Sequence, residues 1–320
     1  MRFILFYLAK PKYGGWPTYT AHLHRGLRSI GYEPIVIKVG NKTESKTRNY
    51  GRKIHYLNVN INDLPELAKK YPSIITAVDK SGREAADLLL EQGVPIVVHD
   101  PTELKNGMKE NLSDSKIVVI RETMLKHLPN AHYIPHPYAR RKTTLIRKNK
   151  RSVSISRVDF DKHTEIICEA NQSLEEPIDI YGFLNTMYAH FNLDDVYPDW
   201  KNNYKGTFDA EDLYSGEKIA EQYQNVVDMS RIKGDGGGTQ YTFLEAANAN
   251  SNLILHTGWE ATGLLADYAQ SITTTDELID FINSDRTPSQ DAIESLLNFH
   301  DATKIASNYQ QYFNWPVELQ

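Results

Sequence analysis

Cysteine is almost absent from this chain of 320 residues, with Cys168 alone. A single thiol excludes an internal disulfide framework and leaves a reducing, cytoplasmic setting (host cytoplasm for a viral protein) as the default expectation. Cys168 lies in an apolar stretch of helical pattern, so it reads as a buried, inert thiol and not as a nucleophile. Long apolar runs are missing too, and none approaches the ~18 residues of a transmembrane segment. The opening Met1-Arg-Phe-Ile-Leu-Phe-Tyr-Leu8 lacks a small-residue cleavage site and reads as a first strand, not as a signal peptide. Positive charge is not in excess: 36 Lys and Arg stand against 41 Asp and Glu, and the net charge of −5 argues against a surface built as a whole for a polyanion. No Walker loop, G-x-S-x-G elbow, Cys/His zinc spacing, solenoid-period repeat or low-complexity tract occurs.

What remains is an ordinary globular composition, 40% hydrophobic and 24% charged, at a length that favours about two domains. Apolar strands alternate with helical patterns along the whole chain, the signature of α/β architecture with parallel sheets. In the first half, strands are predicted near 2–8, 34–38, 54–58, 73–77, 95–98, 116–120 and 132–134, with helices near 16–30, 62–70, 81–92 and 121–128. In the first helix Tyr19, Leu23, Leu27 and Ile30 share one face, and Gly31 is its stop signal. The second half repeats the pattern, with strands near 152–156, 178–181, 225–228, 252–255 and 270–272 and helices near 163–173, 211–223, 240–249, 275–283, 288–298 and 301–315. The stretch 139–151 carries seven basic groups and no acidic one, lacks apolar periodicity and is the expected linker. Residues 38–53 form a second basic run, with only Glu44 opposing it. Such runs read as solvated loops or as contacts to an anionic acceptor. The expected layout is therefore a first domain over 1–146, completed by a helix at 301–315, and a second over 151–300. Two such halves would face each other across a cleft lined by the carboxyl ends of their strands, where open α/β sheets bind ligands.

Four constellations carry chemistry. In Ser154-Ile-Ser-Arg157-Val-Asp-Phe-Asp-Lys162 an arginine ends a strand and a lysine follows it at a helix start. Two fixed cations there suit a diphosphate. Asp159 and Asp161 between them have a spacing that fits a divalent metal, but the neighbouring cations already compensate charge, and no metal or cofactor is expected. In Gly234-Asp235-Gly236-Gly237-Gly238-Thr-Gln-Tyr-Thr-Phe-Leu-Glu245 the glycines offer backbone amides to a sugar or phosphate. Glu245, among apolar neighbours on the next helix, suits the two hydroxyls of a ribose. Gly14 and Gly15 make a third loop between the first strand and first helix, open to close approach by an anion. His99 and Asp100 end the strand at 95–98, where His99 is expected to bind a sugar hydroxyl and Asp100 to orient an acceptor hydroxyl. His22, His24, His136 and His256 are weaker candidates; the first two, two residues apart on a helix, do not face each other.

On these residues the chain resembles the retaining GT-B glycosyltransferases of glycosyltransferase family 4. The strand–Arg157–loop–Lys162 segment is similar to that family's diphosphate grip, and Leu244-Glu245-Ala246 followed by Leu253-Ile-Leu to its ribose-binding stretch. Ile178-Asp-Ile-Tyr-Gly182, Val226-Val-Asp-Met-Ser230, Gly14-Gly15 and Tyr133-Ile-Pro-His136-Pro137 resemble further landmarks, so that nearly the whole chain is covered. One departure stands out: the family has a glutamate eight residues before the second, where this chain has Gly237, and Asp235 is the candidate substitute. The compact length, Tyr241-Thr-Phe-Leu-Glu245 and the basic loops are similar in outline to phage DNA α-glucosyltransferases, which act on hydroxymethylated cytosine. The resemblance implies transfer of a sugar from a UDP- or GDP-sugar to a hydroxyl of a glycan, small molecule or modified DNA, with retained anomeric configuration and no metal. A nucleotide-sugar epimerase and a non-catalytic nucleotide-sugar binder fit the same residues.

Overall fold

The computed structural model describes residues 1–10, 14–40, 48–50, 54–100, 103, 112, 116–142, 148, 150–209, 212–231, 237–284 and 286–316. The chain divides into two compact units. Unit 1 comprises Met1–Arg140, Ala210–Leu213 and Phe299–Gln320; unit 2 comprises Arg141–Asp209 and Tyr214–Asn298.

Unit 1 runs β1 (Arg2–Leu8), α1 (Gly15–Ser29), β2 (Glu33–Val39), β3 (Arg48–Tyr50), β4 (Ile54–Val59), α2 (Leu64–Lys70), β5 (Ser73–Val78), α3 (Arg83–Glu91), β6 (Ile96–Val98), β7 (Ile117–Val119) and β8 (His132–Tyr133). Its sheet has the order β3-β4-β2-β1-β5-β6-β7-β8, parallel except for the edge strand β3. The central strand is apolar on both sides because both faces are covered. Ile4, Phe6 and Leu8 pack with Ile75, Ala86 and Leu89 in one buried cluster. The helix Ala302–Phe313, α11 in chain order, lies against α1. There the Tyr19 and Tyr309 hydroxyls share a hydrogen bond and Ser29 Oγ meets Thr303 Oγ1 at 2.9 Å. Phe3 beneath them stacks edge-on with Trp315 at 4.5 Å between ring centres. Asp301 caps α11 by accepting from Lys304 N at 2.9 Å, which removes one of the free amides of its first turn.

Unit 2 runs β9 (Lys150–Ile155), α4 (Thr164–Asn171), β10 (Asp179–Tyr181), α5 (Thr186–Ala189), β11 (Tyr204–Gly206), α6 (Ser215–Ala220), β12 (Tyr223–Asp228), α7 (Tyr241–Asn248), β13 (Asn252–His256), α8 (Gly263–Tyr268), β14 (Gln270–Ile272), α9 (Thr275–Asn283) and α10 (Gln290–Phe299). All its strands are parallel, in the order β11-β10-β9-β12-β13-β14. Ile167, Cys168, Ile180, Val227, Ile254 and Leu278 share one buried cluster. Burial pushes the Cys168 thiol up to about 12, so it is inert as a nucleophile. A capping box starts α9, with Thr274 and Glu277 each accepting from the other's main chain. No described helix is long and apolar enough to cross a membrane.

Several local expectations change. The helix predicted over 121–128 is a 3-10 turn at Glu122–Lys126, and that over 211–223 contracts to Ser215–Ala220 because Tyr223 already enters β12. Strands β3 and β11, three residues each, and the short helices α5 and α8 carry too little periodicity to be seen in sequence. The basic stretch 139–151 is not a free linker throughout. Arg141 Nε bonds Glu217 Oε1 at 2.9 Å and also pairs with Glu221, while Lys148 Nζ donates to Tyr223 O at 2.8 Å and Ser251 Oγ at 2.6 Å. Residues 143–147 and 149, like 41–47 and 51–53 of the other basic run, lie outside the described residues.

The α1–α11 contact depends on a missing side chain. A Cβ at Gly26 would sit 2.1 Å from the main-chain oxygen of Ala302. Gly26→Ala is therefore expected to cost about 1–3 kcal/mol despite alanine's better helix propensity. Thermal unfolding checks it: a melting temperature equal to or above wild type would contradict the packing described.

Candidate functional site

Strand order locates the most promising site in unit 2. From β9 the chain moves outward through β10 and β11, then returns to place β12 on the other side of β9. The segments that leave β9 and β12 therefore diverge at their carboxyl ends and open a crevice, the usual ligand position in such sheets.

The turn after β9 is pinned before it reaches that crevice. Val158 N donates to Phe183 O at 2.9 Å, Asn185 N donates back to Val158 O at 3.0 Å, and the Val158 side chain is fully buried. Gly182 permits this crossing, since a Cβ there would fall 1.7 Å from Ser156 O. Asp159 then organises the turn, accepting from Phe160 N at 2.9 Å and from Asn185 Nδ2 at 2.8 Å. His163, in the left-handed region at φ 47°, delivers the chain into α4.

Arg157 and Lys162 have different surroundings. Lys162 Nζ donates to Ser230 Oγ at 2.8 Å and stands 3.9 Å from Asp228 Oδ2. Ser230 in turn bonds Asp228 Oδ1 through both its amide, at 2.9 Å, and its hydroxyl. Lys162 and Asp228 are 11% and 3% exposed, so this link ties the ends of β9 and β12 together inside the unit. Arg157 is 54% exposed, and its guanidinium is held by Asp159 at 2.6 Å and Asp161 at 3.0 Å. The two aspartates that could have ligated a metal thus face Arg157, and no group of three or more metal-binding side chains occurs among the described residues. Exposed pairs of this kind are worth about 0–1 kcal/mol.

More groups lie in the segments that follow β10 to β13 and on α7. After β12 comes Arg231, whose Cγ lies beside Gly258, and His256 accepts from Gly258 N at 2.8 Å through Nδ1. Burial, Arg231 and His163 lower the His256 pKa, which favours the neutral ring. Of the glycine loop, Asp235 and Gly236 lie outside the described residues, whereas Gly237 and Gly238 lead to α7. Glu245 on α7 is 7% exposed, and its carboxylate lies over α6, where a Cβ at Gly216 would meet Oε2 at 2.2 Å. It is an engaged, interior carboxylate rather than a solvated one. At the ends of β10 and β11, Phe183 and Phe208 face each other edge to face at 5.9 Å. This aromatic pair escapes a sequence reading because its members meet only through strand order.

Unit 1 treats its predicted residues unevenly. Gly14 and Gly15 are exposed at the start of α1, whose first turn contains no acidic side chain. Gly14 has φ 102°, and Thr18 bonds its carbonyl through both amide and hydroxyl. His99, expected to reach a sugar, is buried: its Nε2 lies 2.8 Å from Thr76 O and its ring packs edge-on against Tyr19. Desolvation pulls its pKa down to about 4. That correction follows from the register of β6, which turns the His99 side chain into the layer beneath α1. His136 is buried as well, and its carbonyl meets His300 Nδ1 at 2.8 Å. Asp100 is half-buried at the same strand end. A residue not foreseen, Glu103, joins the two loops: Oε1 accepts from Trp16 Nε1 at 2.8 Å and Oε2 from His99 N at 3.0 Å.

Desolvation, reinforced by Asp100, pushes Glu103 up to about 8. A carboxyl raised on folding contributes stability that is complete below its unfolded pKa of about 4.3 and fades as pH rises through about 8. Glu103→Gln is therefore expected to flatten the stability profile between those limits, a window worth a few kcal/mol on the order of 1.4 kcal/mol per pKa unit. Denaturant unfolding from pH 4.5 to 8.5 checks this; equal pH slopes for the two proteins would contradict it.

No family model matches the sequence, and neither does any curated protein. Solved structures match the fold over nearly the full length. HepE (Alr3699) of Anabaena, in complex with UDP and glucose, is 11% identical over 98% of this chain and 99% of its own, at a TM-score of 0.72. An alpha-glucosyltransferase in complex with UDP and a 13-mer DNA containing a central A:G mismatch is 13% identical over 98% and 99%, at 0.70. The pneumococcal O-GlcNAc transferase GtfA, in complex with UDP and GlcNAc, is 10% identical over 98% of both chains, at 0.68. At these identities the likeness establishes architecture: the chain has the GT-B fold of these glycosyltransferases, two parallel-sheet Rossmann-like units.

Proposed function

We propose that this protein is a glycosyltransferase that moves a sugar from a nucleotide diphosphate sugar to an acceptor hydroxyl, with unit 2 as the donor site. The observation that carries the reading is Lys162, an ammonium held by Ser230 and Asp228 between the carboxyl ends of β9 and β12. Arg157 stands on the same turn with a forked guanidinium suited to two phosphate oxygens. The fold supports the reading, since the similar structures are of glycosyltransferases with bound UDP.

In the reaction the bond between the anomeric carbon and the diphosphate oxygen breaks, and its electron pair leaves with the nucleoside diphosphate. The acceptor oxygen bonds to the same carbon and gives up its proton to the departing phosphate oxygen. Negative charge therefore grows on the diphosphate, where Lys162 and Arg157 stabilise it, an effect worth about 3–4 kcal/mol per well-placed donor in other enzymes. Glu245 receives the ribose hydroxyls, the amides at Gly237 and Gly238 assist with phosphate or sugar, and the aromatic pair Phe183 and Phe208 borders the base. Attack from the leaving-group face retains configuration. UDP is the first nucleotide to test, GDP the second, and the acceptor a glycan, a small molecule or hydroxymethylated DNA.

Thermal shift with UDP- and GDP-sugars identifies the donor, because a ligand at a hundred times its Kd adds about 2.7 kcal/mol. Arg157→Ala, on an exposed side chain, is expected to lower kcat/KM about a hundred-fold or more with an unchanged Tm. Lys162→Met should abolish transfer and also lower Tm, because Asp228 is left buried without its cation. The double variant Lys162→Met, Asp228→Asn should recover Tm and remain inactive. Wild-type turnover in either Arg157→Ala or Lys162→Met would refute the proposal. An isomerised nucleotide sugar formed without acceptor would mark an epimerase, and donor binding with no turnover a binding protein.

A further inference from the structure

The glycine segment at 237–238 raises a question of supply. Glycines offer a sugar main-chain amides and carbonyls but no side chain, and a hexose presents several hydroxyl donors that want strong acceptors. At Gly237 the space for a side chain does not exist: a Cβ there would stand 2.5 Å from the main-chain oxygens of both Trp259 and Glu260. The segment after β13 has closed over that position. It is held by Trp259, 5% exposed, whose Nε1 donates to Gly238 O at 3.0 Å and whose ring meets Phe243 of α7 edge-on at 5.6 Å.

The next residue in that segment is Glu260. Its backbone lies in the left-handed region at φ 54°, which costs a glutamate of order 1 kcal/mol, and its amide closes a tight turn on Thr257 O at 3.0 Å. Its side chain is exposed. Other carboxylates of this region have assigned partners or roles: Asp159 and Asp161 pair with Arg157, Asp228 with Ser230 and Lys162, and Glu245 is the ribose candidate beside α6. Among the described residues Glu260 makes no ion pair and accepts no side-chain hydrogen bond, while its main chain abuts Gly237. Asn or Gly would adopt this backbone more easily, and residues held in such sparsely populated conformations cluster at functional sites.

We propose that Glu260 binds the transferred sugar, its carboxylate accepting hydrogen bonds from the hexose hydroxyls and so setting which sugar is used. The assignment rests on unit 2 being the nucleotide-sugar site. It places in the segment after β13 a carboxylate for which Gly237 has no room, and it differs from a role for Asp235.

The test separates nucleotide from sugar. UDP, UDP-glucose, UDP-N-acetylglucosamine and GDP-mannose are titrated into wild type, Glu260→Gln, Glu260→Ala and Glu260→Asn by calorimetry, and transfer or hydrolysis of the best donor is measured. UDP and GDP affinity is expected to stay within about two-fold of wild type in all variants, because the bare nucleotide lacks the sugar. The gain in affinity that the sugar brings should fall about ten-fold in Glu260→Gln and further in Glu260→Ala, with kcat/KM falling at least in proportion. Glu260→Asn, which tolerates the left-handed backbone, should keep or raise Tm and show the same loss. Wild-type sugar discrimination and turnover in Glu260→Gln and Glu260→Asn overturn this inference alone. Failure of wild type to bind UDP, GDP or any of the four probes overturns the donor-site reading and this inference with it.

Discussion

The bond from Lys162 to Ser230, backed by Asp228, is the constraint on which the site in unit 2 depends. It joins the turns leaving β9 and β12, the two strands between which the direction of the sheet reverses. A lysine so enclosed needs a counter-charge, and an aspartate at 3% exposure needs a cation. Each is the condition for the other's burial.

Charge around the crevice is more balanced than two cations alone suggest. Three carboxylates, Asp159, Asp161 and Asp228, stand with Arg157 and Lys162. The two cations differ in how firmly they are held: the buried Lys162–Asp228 pair is enclosed, while Arg157, half in water, makes pairs worth about 0–1 kcal/mol. Glycines shape the rest by what they leave out. Gly182 lets β10 cross under Ser156, Gly216 makes room for the Glu245 carboxylate, and Gly237 lets the main chain at Trp259 and Glu260 close in. In each case a single Cβ would occupy space already filled by a neighbour.

Much of the architecture was legible from pattern alone. Apolar runs such as Ile74–Ala77 and Val226–Val227 announce buried parallel strands, because a strand covered on both faces has no polar side to show. Arg157, Lys162 and Glu245 were legible from position, each being a charged residue at a strand end or on an otherwise apolar helix. His99 was misjudged for a physical reason: a polar residue at a strand's carboxyl end can point along the strand or into the layer below, and register decides which. Glu103 and Glu260 left no periodic trace, since one acts through Trp16 and His99 N from a turn and the other through a single left-handed residue.

The amino-acid sequence by itself determined the two-part α/β layout, the strand-end cations and the glycine-rich approaches to two helices, because these follow from local periodicity and from the backbone freedom of individual residues. Only the tertiary structure decided that Lys162 is enclosed while Arg157 is tethered in the open, that His99 serves packing, and that Gly237 lies under Glu260. Those outcomes depend on which strands become neighbours, and neighbours in a sheet are chosen by burial summed over the whole unit, which no short stretch of chain encodes.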